Sequence, residues 1–492
     1  MSKLCVTVTA ETTAELRRRR DEVRDADLIE LRLDTVSDPD VTGALAGRRC
    51  PVIVTCRPTW EGGHFGGSEE VRKGVLADAI AQGAEYVDIE WRANFDDLIS
   101  PRNGRNIVLS SHDFDGVPCD LASRFQAMRA TGAEVVKLAA KTARLSDCVP
   151  LLEIGAQGRR DGGLVVIGMG EHGLATRVLA SRFGSMWTYA GALEEIGQLD
   201  AFTLLHDFRF RSLGEATEIY GLVAGTVSHS VSMAMHNAAF RAAQRDAVYL
   251  PFPSPTADDF VTFGRALGIK GASVTIPHKV PLFERMDDID PVHAVARRIG
   301  AINTIRVNDD GKWIGGNTDV SGFLDPLRAR VALEGLRVAV LGAGGAARAV
   351  VVALSSSGSV VTVHARDRAK AQAVAGVGSA QIGPWPPAPG SWDLLVNCTP
   401  IGMHPRVDET PVPRNQLTGR CVYDLVYNPS QTRLLREAAA AGCETIGGLD
   451  MLVAQAHGQF HMWTGTRPPS GVMREAALKR LAEFVSDEHY VV

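Results

Sequence analysis

The chain has 492 residues, of which 45% are hydrophobic and 22% charged, and a formal net charge of −5. That length exceeds one ordinary core, so two or three domains are expected. The charge balance excludes a basic nucleic-acid binder, and no run of about 18 apolar residues suggests a membrane span.

The opening Met1-Ser-Lys-Leu-Cys-Val-Thr-Val-Thr9 enters a strand pattern at once, so no signal peptide is expected. Eight cysteines (5, 50, 56, 119, 148, 398, 421 and 443) lack any C-x-x-C spacing, and several fall in apolar runs. They read as buried free thiols in a reducing, cytoplasmic setting. Over the first 200 residues, short apolar strands alternate with helical stretches. Strands are expected at 4–9, 28–33, 52–56, 86–91, 107–111, 134–139, 164–169 and 186–190, which fits a (β/α)8 barrel. In such a barrel, chemistry lies at the C-terminal strand ends, where Glu30, Arg32, Arg57, His112 and Lys137 fall.

Lys137 is isolated in the apolar run Glu134-Val-Val-Lys-Leu-Ala-Ala140. Burial disfavours a charged ammonium, so a depressed pKa is expected. A neutral amine is a nucleophile toward ketones and aldehydes. The competing reading is a strand-end lysine that snorkels to water. Glu30 and Arg32 are two apart, so both point into the barrel, either as a structural ion pair or as part of a site. Thr55 and Arg57 repeat the pattern, and two inward guanidinium forks suit a substrate carboxylate. His112, a strand-end histidine near that lysine, is a candidate proton carrier.

A domain boundary is expected near 207–218, followed by a strand at 220–224. From Leu336 the pattern becomes strand, glycine turn, helix, strand. Gly342-Ala-Gly-Gly-Ala-Ala347 fits G-x-G-x-x-A, so Gly342, Ala343, Gly344, Gly345 and Ala346 form a candidate pyrophosphate loop at a helix N-terminus. The next strand ends in His364-Ala-Arg-Asp-Arg-Ala-Lys370, where Arg366, Arg368 and Lys370 suit the 2′-phosphate of NADP; adjacent Asp367 keeps NAD open. The stretch 383–390, with four prolines, is a surface loop. His457 and His461 have i, i+4 spacing, but no third ligand is near and Gly458 weakens a helix there, so no metal is assigned.

The segments Glu30-Leu-Arg-Leu-Asp34, Thr55-Cys-Arg57, Trp60-Glu-Gly-Gly63, Ser111-His-Asp-Phe114, the lysine strand and Gly170-Glu-His-Gly-Leu-Ala-Thr-Arg177 resemble type I 3-dehydroquinate dehydratase. The resemblance implies that Lys137 forms an imine with the substrate ketone. It also implies that His112 moves the proton and that Glu30 orients His112. Arg32, Arg57 and Arg177 would fix the carboxylate and hydroxyls, and Gln198 matches a lid glutamine. The lid departs from the family pattern, reading Glu194-Glu-Ile-Gly-Gln198 where Ser-Ala-Pro-Gly-Gln is usual. Either Glu194 faces away from the anionic substrate or this half is a poorer enzyme.

From Tyr220 onward, Val227-Ser-His-Ser-Val-Ser232, Val274-Thr-Ile-Pro-His-Lys279, Gly300-Ala-Ile-Asn-Thr304, Gly316-Asn-Thr-Asp319, Tyr427-Asn-Pro429 and Gly448-Leu-Asp-Met-Leu-Val-Ala-Gln455 resemble shikimate dehydrogenase. That resemblance implies that Ser230 and Ser232 hold the substrate carboxylate and that Thr275, Asn303, Asp319 and Gln455 hold its hydroxyls. Lys279 and Asp319 would form the catalytic pair, and Tyr427 would place substrate. Ser273 stands where many members have asparagine and reads as a variant. Serine at both 230 and 232 favours shikimate over quinate.

Together these imply a bifunctional shikimate-pathway enzyme with small-molecule substrates, NADP as cofactor, and no nucleic-acid or membrane partner. The barrel is expected at 1–213 and the dehydrogenase at 218–492, the latter with a substrate lobe (218–320 plus 450–492) and a Rossmann lobe (321–449). Rival readings are a metabolite-sensing regulator on the same folds and another class I lyase fused to a quinate dehydrogenase.

Overall fold

The computed structural model describes residues 1–158, 162–226 and 230–487, without the side chains of Glu194 and 485–487. Ser228 and His229 of the 227–232 motif, and the Glu194 carboxylate, therefore lie outside the described residues. The chain folds as two compact units, Met1–Glu218 with Asp246–Gly268, and Ile219–Arg245 with Ile269–Val492.

The first unit holds eight strands: β1 (Lys3–Val8), β2 (Leu28–Arg32), β3 (Val52–Thr55), β4 (Tyr86–Glu90), β5 (Ile107–Asp113), β6 (Val135–Lys141), β7 (Gly163–Met169) and β8 (Trp187–Ala190). They form one sheet in the order β7-β6-β5-β4-β3-β2-β1-β8, parallel throughout. The ring nearly closes where the Met186 N–H donates to the Leu164 carbonyl at 2.7 Å. All eight expected strands form, and β6 runs two residues past its expected end. Alternation on each strand builds the interior in layers. Cys5, Leu28, Ile53, Val108, Val135, Val165 and Trp187 pack as an apolar floor. Two residues further along their strands stand Glu30, Thr55, Ser110 and Lys137, all buried. β4 adds Asp88 and Glu90, which are fully enclosed.

Downstream lie β9 (Glu218–Ala224), β10 (Ala247–Pro253, within the segment grouped with the first unit), β11 (Gly271–Val274), β12 (Asp288–Ile289), β13 (Thr304–Val307) and β14 (Trp313–Gly316). In the second unit β11 runs parallel to β9 and antiparallel to β13, and β14 is antiparallel to β13 and parallel to β12. A separate parallel sheet follows: β15 (Arg337–Leu341), β16 (Val360–His364), β17 (Gln381–Gly383), β18 (Leu394–Asn397), β19 (Cys421–Asp424) and β20 (Glu444–Ile446). Its order, β17-β16-β15-β18-β19-β20, is the 3-2-1-4-5-6 order of the doubly wound dinucleotide fold.

Two expectations need correction. The helix Gly448–Thr464 runs unbroken through Gly458; a Cβ there would come within 3.0 Å of the Thr318 side chain, so close packing explains the glycine. The eight cysteines are free, but Cys119 is exposed and Cys50 and Cys398 are half-buried. Among the described residues, no helix is long and apolar enough to cross a membrane.

Candidate active sites

One cavity at the C-terminal end of the barrel strands brings together seven of the residues singled out in the first half. Glu30, Arg32, Arg57, His112, Lys137, Arg177 and Gln198 all line it. Lys137 is 4% exposed, so it does not snorkel. Nor is it isolated. Its Nζ donates to Asp88 Oδ2 at 3.1 Å, lies 3.7 Å from Glu30 Oε1, and sits 4.3 Å from the Tyr189 ring centre. The sequence of β6 hides these partners because β4, β2 and β8 supply them.

Glu30 does not orient His112. Its two carboxylate oxygens accept from Thr7 Oγ1 and Thr55 Oγ1, each at 2.9 Å. The carboxylate beside His112 is Glu61, in the short turn Thr59–Glu61 after β3. Glu61 Oε1 accepts the His112 backbone N–H at 2.9 Å and lies 3.1 Å from ring Nδ1. Burial pushes the Glu61 carboxyl up to about 7, against the pull of Arg57. Burial, with the Arg57 and Lys137 charges behind it, holds His112 well below the usual histidine range. Glu61 was already visible in Trp60-Glu-Gly-Gly63; only its reach to His112, 51 residues away, was not.

The three arginines separate by their partners. Arg32 forks onto Asp34, with Nε–Oδ1 at 2.8 Å and Nη2–Oδ2 at 2.7 Å. Arg57 bonds Glu90 at 2.7 Å, Ser110 at 2.8 Å and Asp88 at 3.0 Å. Two of the expected carboxylate forks are thus already engaged. Arg177 is buried, its Nη2 donates to the Ile196 carbonyl at 2.7 Å, and its Nε has no partner. Among the described residues no acid pairs with it, and burial alone lowers it to about 10. A buried guanidinium with an orphaned donor is costly unless an anion completes it. The lid segment that supplies the Ile196 carbonyl also brings Glu195 to the cavity and lets the Leu193 N–H donate to Gln198 Oε1 at 3.3 Å.

In the second unit, Lys279 Nζ donates to Asp319 Oδ2 at 2.6 Å. Asn303 Nδ2 donates to Asp319 Oδ1 at 2.8 Å and lies 3.3 Å from Gln455 Oε1. Thr275 follows the strand residue Val274, whose N–H donates to the Asn303 carbonyl at 2.7 Å, and its own N–H donates to the Val223 carbonyl at 3.1 Å. Ser273 turns inward and donates to Gln459 Oε1 at 2.8 Å, while Gln459 Nε2 holds the Asn303 carbonyl at 3.1 Å. Sequence reading missed Gln459, four residues after Gln455 on one helix face. Ser230 Oγ accepts the Ser232 N–H at 3.2 Å, and Tyr427 is a half-buried phenol whose pKa burial raises. Among the described residues, no hydrogen bond links Ser230, Ser232 or Tyr427 to the Lys279 cluster.

The residues at 342–346 fit a dinucleotide. Gly342 has φ +105°, and a Cβ there would meet the Thr399 methyl at 3.0 Å, so glycine is required. Gly344 caps the helix Gly345–Ser355 and faces open space. A Cβ on Gly345 would lie 3.6 Å from Lys279 Cδ, which places the loop against the lysine. Beyond β16, Arg366 and Arg368 are exposed and carry no ion pair among the described residues, while Lys370 lies 3.6 Å from Asp367. Asp367 Oδ1 accepts from the N–H groups of Ala369 and Lys370 at 3.0 and 3.1 Å, capping a helix. One oxygen of Asp367 is thus engaged within its own helix turn, while Oδ2 meets only the Lys370 ammonium among the described residues, at 3.6 Å.

The family model for type I 3-dehydroquinase matches residues 4–214. Those for the shikimate dehydrogenase substrate binding domain and the shikimate 5′-dehydrogenase C-terminal domain match 222–305 and 448–478. A shikimate dehydrogenase (NADP(+)) of Methanothermobacter thermautotrophicus is 42% identical over 279 residues, covering 54% of this chain and 97% of that protein. A crystal structure of a shikimate dehydrogenase in complex with NADP+ aligns with TM-score 0.51 and 35% identity over 55% of this chain and 97% of its own. The chloroplastic bifunctional 3-dehydroquinate dehydratase/shikimate dehydrogenase of Arabidopsis thaliana is 34% identical over 486 residues, covering 90% of this chain and 78% of that protein. With that likeness running through both halves in order, the chain belongs to the family of bifunctional 3-dehydroquinate dehydratase/shikimate dehydrogenases.

Proposed function

We infer that the chain dehydrates 3-dehydroquinate to 3-dehydroshikimate and then reduces that product to shikimate with NADPH. We place the dehydratase at 1–213 and the dehydrogenase at 218–492, with the substrate lobe at 218–320 plus 450–492 and the Rossmann lobe at 321–449. The observation that carries the first activity is a single cavity lined by Lys137, His112 and Arg177. The substrate carboxylate completes the orphaned Arg177 fork, while Arg32, Arg57 and Gln198 bound the hydroxyl side. The Lys137 amine adds to the ketone and water leaves, giving an iminium. That positive charge acidifies the neighbouring C–H, and His112 Nε2 takes the proton. The electron pair then expels the hydroxyl, which leaves as water with the proton returned by His112. Hydrolysis frees the amine. Glu61 holds Nδ1–H, so that Nε2 faces the reaction as base. Glu30 and Asp88 steady the lysine.

In the second half, Ser230 and Ser232 take the substrate carboxylate, and Thr275, Asn303 and Gln455 take hydroxyls. Tyr427 closes over the substrate. Bound NADPH supplies the hydride. Lys279, held by Asp319, gives a proton to the carbonyl oxygen as negative charge develops there. Arg366, Arg368 and Lys370 receive the 2′-phosphate, and the backbone of Gly342, Ala343, Gly344, Gly345 and Ala346 receives the pyrophosphate. Eight free cysteines suit a reducing compartment, in keeping with a cytoplasmic setting.

Borohydride reduction in the presence of 3-dehydroquinate, followed by peptide mapping, is the test. A stable adduct on Lys137 is expected; an adduct on another lysine, or none at all, overturns the assignment.

A further inference from the structure

A row of charges of alternating sign crosses the barrel wall and ends at the reactive lysine. At its outer end Glu69, with a side chain 41% exposed, receives Arg72 Nη2 at 2.6 Å. Arg72 is fully buried on the helix Glu69–Ala81, outside the strands, and its Nη1 also pairs with Glu90 Oε2. Glu90 Oε1 accepts from Arg57 at 2.7 Å, Arg57 meets Asp88 at 3.0 Å, and Asp88 receives Lys137 at 3.1 Å. Glu30 closes the row at 3.7 Å. Neither Arg72 nor Glu90 nor Asp88 lines the cavity.

We propose that Arg72 is a positioning residue for the dehydratase, acting through Glu90, Arg57 and Asp88 on the proton that Lys137 must lose before it attacks the ketone. This inference rests on Lys137 being the imine-forming group. Arg57 is shared between two carboxylates. While Arg72 engages Glu90, Arg57 is free to offset Asp88, and Asp88 grips the lysine ammonium less. Removing Arg72 draws Arg57 to Glu90 and leaves Asp88 to Lys137, so the amine is freed only at higher pH. Removing the Glu90 charge has the opposite effect. The groups facing Lys137 are Asp88, Glu30 and the Tyr189 ring, with His112 and Cys5 further off. Those acting on Glu90 are Arg57, Arg72, Asp88 and Glu61. Breaking a buried pair on one side leaves an uncompensated charge, whereas replacing both partners is often neutral. A double-variant cycle therefore separates this role from simple packing against Trp60 and Phe95, whose ring centres lie 5.8 and 4.9 Å from the Arg72 guanidinium.

The experiment measures the rate of borohydride trapping of Lys137 by 3-dehydroquinate as a function of pH, on the full chain. Shikimate oxidation by the same sample reports the amount of chain, and the calorimetric transition of the barrel reports that it is folded. Arg72→Met is expected to move the midpoint up, because a like charge that acts on Lys137 through Glu90, Arg57 and Asp88 is lost. Glu90→Gln is expected to move it down, and the double variant to return near the unmodified chain. If the midpoint is unmoved in Arg72→Met, or the double variant does not revert it, Arg72 is a packing residue only. If Arg72→Met does not fold, Glu90→Gln decides, and no downward shift rejects the proposal. Absence of label on Lys137 in the unmodified chain instead rejects the site assignment itself.

Discussion

His112 and Glu61 share two contacts through a single carboxylate oxygen: Oε1 accepts the histidine's own backbone N–H at 2.9 Å and lies 3.1 Å from its ring Nδ1. The backbone bond holds the carboxylate beside the residue, within reach of the ring. The other oxygen, Oε2, is buried without a partner. Half-satisfied burial of this kind is what raises an acid's pKa.

The pair sets the pH dependence of dehydration. Below about 7 the Glu61 carboxyl is protonated and offers O–H to Nδ1, which leaves the proton on Nε2 and removes the base. Dehydratase kcat/KM is therefore expected to rise with pH through about 7. Glu61→Gln should flatten that limb and lower kcat on the order of 10²-fold. An unaltered profile in this variant excludes Glu61 as the controlling acid.

Stability carries the same signature. Glu61 in the fold titrates above its ordinary 4.5, so folding favours its protonated form. Its contribution is complete below 4.5 and lost as pH rises through about 7. His112, held below its ordinary 6.5, runs the other way: its contribution is present above 6.5 and lost as pH falls through its depressed value. Urea unfolding of Glu61→Gln against the parent between pH 4 and 8 should therefore show a difference that grows in the variant's favour as pH rises.

Lys137→Met tests the partners. Asp88 and Glu30 would face each other without their shared cation. Losing one side of a buried ion pair costs about 3–5 kcal/mol. Calorimetry of the barrel transition should register that drop, and reduction of 3-dehydroshikimate by the other half should continue. Simultaneous loss of both activities would show that the two halves do not fold independently.

Arg177→Gln and Arg32→Gln should separate binding from stability. Arg177 has no acidic partner among the described residues, so its loss should weaken 3-dehydroquinate binding, by about 2–5 kcal/mol if it meets the carboxylate, with little change in melting temperature. Arg32 is forked onto buried Asp34, so its loss should lower melting temperature. Equal effects on KM and melting for both variants would contradict this division.

The cofactor preference follows from which charges are spare. Arg366→Ala should raise KM for NADPH about 10-fold, the scale of one charge-assisted hydrogen bond, and leave that for NADH nearly unchanged. Asp367→Asn keeps a capping side chain and should not alter the ratio of the two cofactors. A large gain for NADPH on that substitution would mean that the aspartate had been facing the ribose.

Much of this was legible in the chain because periodicity is local. Alternation along a strand put Glu30 and Arg32 on the barrel's inner face, strand-end position marked His112 and Lys137, and strand-glycine-helix order marked Gly342 and Gly344 as a candidate pyrophosphate loop. The resemblance of ordered motifs extended this to Lys279 and Asp319, which the fold brings to 2.6 Å. Pairing between strands was not legible. Asp88 and Glu90 sit on an alternating strand like the others, yet nothing along the chain ties them to Lys137 and Arg57, 49 and 33 residues away. Nor does it show which of three arginines lacks a partner, or that Glu61 reaches across to His112 while Glu30 does not.

The sequence by itself determined the two folds, their order and the residue types that carry chemistry, because strand and helix periods and glycine turns are written within a few neighbours. Only the tertiary structure decided how charge is shared among them. Curling the sheet into a ring brings side chains distant in sequence to within about 3 Å in a medium of low dielectric. There, the charge state of a lysine such as 137 depends on every carboxylate and guanidinium the ring has gathered around it.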